Sequence, residues 1–201
     1  MNIITKAFKH FKTVCTHKRC VFLACCKADI PWQGIKHDMS KFSPVEFFES
    51  IKYYSGTDSP INACKKENGI SYAWLHHKGR NKHHYEYWQD NFDQGGQPLQ
   101  MPYKYAIEQV CDYIGAGRAY MGDNFSYKAE YEWWKNRIKN PIKMHPQTLS
   151  FTESMLKTMA EENSSNVLCY TRSHEIYVLE ETMYHLIQTH SKDIVEKIKN
   201  G

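Results

Sequence analysis

Histidine and aspartate carry the chemistry of this chain. Of its eleven histidines, His76, His77, His83 and His84 fall within nine residues, in Trp74-Leu75-His76-His77-Lys78-Gly79-Arg80-Asn81-Lys82-His83-His84-Tyr85. His17 lies three residues after Val14 and four before Val21, a helical spacing that turns its ring toward the apolar side. His37-Asp38 follows twenty residues later, and Asp112 stands among Ile107, Val110, Cys111 and Ile114. A carboxylate in such surroundings needs a partner, and a cation is an effective one. A core histidine bonded to a backbone carbonyl is the ordinary alternative for His17 taken alone; the company of His37, Asp38 and Asp112 favours ligation. Imidazole nitrogen with carboxylate oxygen suits a divalent transition-metal ion, Mn, Fe, Co, Ni or Zn, with coordination positions left open. No organic cofactor is expected.

Helices must position these groups. Ile4, Ala7, Phe8, Phe11, Val14, Val21 and Ala24 trace an apolar stripe at three- and four-residue steps around His17. Ser43-Pro44-Val45-Glu46 reads as a capping box with proline at the first helical position, ahead of Phe47, Phe48 and Ile51. Ser59-Pro60 opens a shorter helix that Gly69 can close. Pro102 precedes a long helix from Tyr103 to Met121 that carries Asp112, with Gly115, Ala116 and Ala119 small enough for another helix to come close. Ser126 and Pro146 start two more. No run alternates like a strand, so the expected fold is all-α, a single helical bundle. Turn residues at Gly122-Asp123-Asn124 and Asn163-Ser164-Ser165-Asn166 divide a core over 1–122 from C-terminal helices over 123–201. Trp133 and Trp134 are too apolar to leave in water, so this extension is expected to dock on the core as part of the same domain.

Composition narrows the function classes. A chain of 201 residues can bury a sizeable core. Its formal charge of +4 is mild and its lysines are dispersed, so the footprint of a nucleic-acid binder is weak. Charges interrupt every short apolar run at the N-terminus, which predicts neither a signal peptide nor a membrane span, and hence a cytosolic protein. Seven cysteines form an odd set without a CxxC pair, and the four at 15, 20, 25 and 26 share one predicted helix. Free thiols packed as small hydrophobes are expected. The aromatic set Tyr72, Trp74, Tyr85, Tyr87 and Trp88 reads as packing, with one or two rings available to a pocket.

The order His17, His37-Asp38-Met39-Ser40-Lys41, then Asp112 resembles the His…His-Asp…Asp signature of the HD superfamily of metal-dependent phosphohydrolases, in its HDxxK variant. More narrowly, HDMSKFSPVEF together with AWLHHKGRNKHHYEYW is similar to a small, uncharacterised bacterial and phage family, over most of residues 17–120. The superfamily resemblance implies an HD-type bundle and a first metal on His17, His37, Asp38 and Asp112. It implies a second metal bridged by Asp38 and held by one histidine of each later pair, taken as His77 and His84 with His76 and His83 as the alternatives. Two-metal members place these extra histidines farther apart, on different helices, whereas here only Gly79-Arg80-Asn81 and its flanking lysines separate the pairs.

Such a site lowers the pKa of bound water and polarises a phosphoryl oxygen, so hydrolysis of a nucleotide or another small phosphate ester is the expected activity. Lys41 joins Asp38 as a catalytic candidate and, with Arg80, Lys82 and Arg118, as a substrate-binding one. Lys78, Arg80 and Lys82, basic residues on a turn, read first as a solvated face. Two other functions stay open: oxidation of an organic substrate at a di-iron centre, and a non-enzymatic role in which the metal braces an interaction protein.

Overall fold

The computed structural model describes residues 2–56, 59–91, 93 and 95–200, with side chains described as far as 196. Among the described residues the regular elements are helical, and the one strand-like feature is an isolated antiparallel bridge between Gln89 and Pro98. The helices are α1 (Ile3–Lys27), α2 (Pro31–Lys36), α3 (Pro44–Tyr53), α4 (Pro60–Asn68), α5 (Tyr72–Lys78), α6 (Tyr103–Met121), α7 (Tyr127–Ile138), α8 (Pro146–Glu162) and α9 (Tyr170–Asn200). The all-α expectation is met. No helix among the described residues is long and apolar enough to cross a membrane.

Local chemistry explains most of the boundaries. Asn2, Ser43, Ser71 and Ser126 each accept a hydrogen bond from a first-turn amide, of Thr5, Glu46, Trp74 and Ala129 respectively. Pro31, Pro44, Pro60 and Pro146 occupy first helical positions, where the missing N–H costs nothing. Gly69 (φ 75°) and Asn163 (φ 47°) close α4 and α8 in the left-handed conformation. Glu49 of α3 accepts from the Tyr72 and Ala73 amides at the start of α5, where negative charge also suits the helix dipole. That contact seats the short helix that carries His77.

The core is built on α1 against α6. Val21, Ala24 and Cys25 meet Ile107, Val110, Cys111 and Ile114, α7 and α8 add Trp134, Phe151, Met155, Leu156 and Met159, and α9 adds Tyr177. A Cβ at Gly115 would stand 2.3 Å from Val21 Cγ2 and 2.9 Å from the Val21 nitrogen, so only glycine permits this crossing. Trp134 is fully buried among the core residues, while Trp133 remains 44% exposed.

Two expectations need correction. The apolar stripe of α1 buries Val14, Val21 and Ala24, but Ile4, Phe8 and Phe11 are exposed, because α3 packs on the early turns of α1 through a different face, that of His10, whose ring meets Phe47 and Tyr54. All seven cysteines are free thiols, yet of the four on α1 only Cys25 is buried; Cys15 and Cys26 face outward.

Candidate metal centre

His17 and Asp112 enter the site from the crossing of α1 and α6, with His17 Nε2 3.1 Å from Asp112 Oδ1. His37 caps the C-terminus of α2, its amide bonded to the Gln33 carbonyl at 2.7 Å. Asp38 then adopts φ 54°, the left-handed region that aspartate tolerates better than most residues but seldom occupies. This reversal leads into a short 3-10 turn, Met39–Phe42, and leaves Asp38 and His37 both buried in the same centre. Strain of this kind persists where the surroundings over-determine it.

The two oxygens of Asp38 face different groups. Oδ2 lies 3.4 Å from both His17 Nε2 and His37 Nε2, and His37 Nε2 is 3.2 Å from Asp112 Oδ1. Oδ1 lies 3.3 Å from His77 Nε2 and 3.4 Å from His83 Nε2, and His77 Nε2 is 2.9 Å from His84 Nε2. Two four-residue groups therefore share Asp38: His17, His37, Asp38, Asp112 and Asp38, His77, His83, His84. Four ligands held tetrahedrally at about 2.1 Å from one ion stand about 3.4 Å apart, which matches the first group. Asp38 Oδ1 and His83 Nε2 are buried and make no hydrogen bond to each other or to anything else described, although 3.4 Å apart. Inward-facing acceptors without donors are what a cation between them would satisfy.

Carboxylates on the outer side aim the rings. Glu108 Oε1 receives His37 Nδ1 at 3.1 Å and His83 Nδ1 at 3.3 Å, while Glu46 Oε2 takes His77 Nδ1 at 2.8 Å. A proton held at Nδ1 leaves the Nε2 lone pair for the centre. Burial disfavours the charged form of Glu108, but its bonds to His37 and His83 bring its pKa down to about 2. Burial likewise opposes a charge on His77, yet Asp38 and Glu46 lift it to about 9. For Asp38, burial is overcome by His37, Lys41 and His77, which hold its carboxyl well below the usual range. Without a cation the surrounding carboxylates thus favour the protonated forms of His37 and His77, and a bound ion would displace those protons.

The other residues singled out from the sequence divide among different places. Lys41 Nζ lies 2.6 Å from Asp38 Oδ2 and lines a cavity of about 260 Å³ that also meets His17, His77, His84 and Asp112. His83, read as an alternative, joins the second group beside both His77 and His84. His76 turns away from it, with Nδ1 2.6 Å from Glu46 Oε1. Arg80 and Lys82 do not join Lys41; with Lys36 and Lys104 they line a separate cavity of about 300 Å³ on the His37, His83 and Glu108 side. Arg118 is engaged elsewhere, donating to the Tyr127 hydroxyl at 2.8 Å and lying over the Phe125 ring. Of the aromatic set, Trp74 borders the Lys41 cavity and Tyr72 is 67% exposed, so Tyr72 is not packing.

Three participants went unread in the sequence. Glu46 looked like the side-chain half of a capping box; Ser43 does accept from its amide, but its carboxylate goes to His76 and His77. Glu108 precedes Asp112 by one helical turn, and that four-residue spacing was the available signal. His10 lines the Lys41 cavity with its pKa lowered to about 4, first by burial and then by Lys41, so its ring is neutral at ordinary pH.

No curated protein and no solved structure matches the chain. A family model does, over residues 6–158, a span that contains every residue of the two groups. The chain belongs to a family of unknown function, DUF5662.

Proposed function

We propose that this protein is a metal-dependent phosphohydrolase of the HD type, acting on a small phosphate ester. The observation that carries the reading is Asp38, one oxygen turned to each histidine group, with Lys41 against it at the wall of a cavity. His17, His37, Asp38 and Asp112 would hold a first divalent ion, and Asp38 with His77, His83 and His84 a second. Bound there, such ions supply Lewis acidity toward a phosphoryl oxygen and an acidified water as nucleophile. The chain's own groups do the rest. Lys41 is the one lysine or arginine among the described residues of this cavity, and it neutralises charge on the transferred phosphoryl group. Glu46 and Glu108 keep the rings in register. Water adds to phosphorus as the ester oxygen departs, giving an alcohol and inorganic phosphate.

The test pairs plasma mass spectrometry with hydrolysis of an aryl phosphate by protein loaded with Mn, Fe or Zn. Metal lost together with turnover in Asp38→Ala is the expected result. A folded, fully metallated and active Asp38→Ala would end the proposal.

A second reading rests on the three histidines around Asp38 Oδ1, a ligand set that also suits iron. Oxidation of an organic substrate by dioxygen would require iron and consume oxygen, whereas hydrolysis proceeds anaerobically with Mn or Zn.

A further inference from the structure

One face of α7 buries Tyr127, Glu130 and Trp134 at three- and four-residue steps, which puts a carboxylic acid where an apolar side chain would pack. Glu130 is only 5% exposed and has no hydrogen bond or ion pair among the described residues. Burial, and secondarily the charge of Asp112, raises its pKa to about 7. Opposite it on α6 stands Gly117, where a Cβ would lie 2.0 Å from Glu130 Oε2 and 2.9 Å from the Phe125 ring. A helix-interior glycine costs about 1 kcal/mol relative to alanine, and an unpartnered buried carboxyl is unfavourable as well. Both costs fall at one point. The close Phe125 ring and Glu130 carboxyl account for the glycine, but packing does not account for the carboxyl, since an apolar side chain at 130 would avoid its cost.

The carboxyl borders a cavity of about 430 Å³ whose other walls include Tyr113, Tyr120, Met121 and Trp133. Glu130 is the only charged side chain among the described lining residues. Ser59, Ala116 and Tyr120 line both this cavity and the one that holds Lys41, His17 and Asp112, so the two adjoin across a shared wall. The Tyr113 and Trp133 rings meet edge to face at 5.4 Å. Aromatic faces beside a lone carboxylate are the chemistry that receives an organic ammonium ion, through ring quadrupole and charge-assisted hydrogen bond together.

We infer that the cavity of Glu130, Tyr113, Tyr120 and Trp133 is a subsite for an ammonium group, and that the substrate is an amine-bearing phosphomonoester. Its phosphate end rests on the hydrolase reading above; its ammonium end rests on Glu130 and the aromatic walls of its cavity. Lys41 and the proposed ions take the anionic end and Glu130 the cationic end, so a zwitterion spans the adjoining cavities. Di- and triphosphates fit poorly, because the Lys41 cavity offers no second lysine or arginine among its described residues.

The experiment measures kcat/KM for n-alkyl phosphates and for ω-aminoalkyl phosphates of two to eight carbons, with Mn-loaded wild type and Glu130→Gln. At one chain length or more the amine should be preferred about tenfold or better, the scale of one charge-assisted contact, and Glu130→Gln should bring that ratio to near one. Plain alkyl esters turned over as well as their amines at every length would overturn the inference, as would a preference that survives in Glu130→Gln. Should neither series be hydrolysed, the hydrolase reading fails and the subsite is judged separately, by calorimetry of the n-hexylammonium ion alone. Saturable binding to wild type that is lost in Glu130→Gln sustains it; no binding to wild type sinks it, whether or not the variant folds.

Discussion

The Val21 nitrogen stands 2.9 Å from where a Cβ on Gly115 would lie, so α1 and α6 touch at backbone distance three residues beyond Asp112 and one turn beyond His17. Gly115→Ala tests what that approach does. Helix propensity alone favours alanine by about 1 kcal/mol, but the new methyl meets backbone as well as Val21 Cγ2 and cannot be relieved by a rotamer change. Overpacking of about 1–3 kcal/mol should win. The variant should melt lower and bind metal more weakly, because separating the helices lengthens the 3.1 Å span between His17 and Asp112. A higher melting temperature with metal retained would show that the helices can part without disturbing the site.

Asp38 and His77 should differ in stoichiometry. Asp38 presents an oxygen to each group, whereas His77 approaches only Oδ1. Asp38→Ala is expected to lose all bound transition metal, and His77→Ala to keep about one equivalent. His76→Ala should keep the wild-type content, since His76 contacts Glu46 and stands outside both groups. Elemental analysis of the three proteins, purified without chelator, decides this. Equal losses in His76→Ala and His77→Ala would contradict the placement.

Glu108 acts through the rings it holds. Glutamine in its place keeps the size but offers His37 and His83 a weaker, neutral acceptor at 3.1 and 3.3 Å. A weakening of metal affinity by about 10- to 100-fold is expected from loss of such a partner, with the folded state intact. Competition against a chelator of known affinity measures it. Unchanged affinity would mean that packing alone orients the two imidazoles.

How far the sequence reaches is visible residue by residue. His17 and Asp112 were legible because helical periodicity marks an inward position whatever the residue type, and a polar group there asks for a partner. Helix starts were legible through serine and proline, whose effects are local. The choice among His76, His77, His83 and His84 was not. It depends on the turn after α5, where Asn81 bonds the His77 carbonyl and Ser40 Oγ and folds the chain so that neighbouring His83 and His84 both face inward, their rings 4.2 Å apart. Arg80 and Lys82 were placed with Lys41 on charge alone, yet they fall on the other side of the centre. The exposed Phe8 and Phe11 continue the helical stripe, but periodicity does not say which face a neighbouring helix takes, and α3 packs on the side of the buried His10.

Glu130 makes a prediction about stability that is independent of any ligand. Its pKa rises from 4.5 in an ordinary environment to about 7 in the fold, first because it is buried and then because Asp112 is negative. The folded state therefore holds the proton that the unfolded chain releases, and stability falls as pH climbs from the unfolded pKa through the folded one. At about 1.4 kcal/mol per unit, the loss is roughly 3 kcal/mol and is complete above about pH 8. Glutamine carries no charge at any pH, so Glu130→Gln lacks this slope. Denaturant titrations of both proteins from about pH 4 to 8.5 should show near-equal stability at the acid end and a variant more stable at the alkaline end. The histidines and other carboxylates also titrate in this window, but they are common to both proteins and cancel in the difference. Parallel curves across the range would mean that Glu130 is ionised in water-like surroundings, and the buried carboxyl would have to be given up.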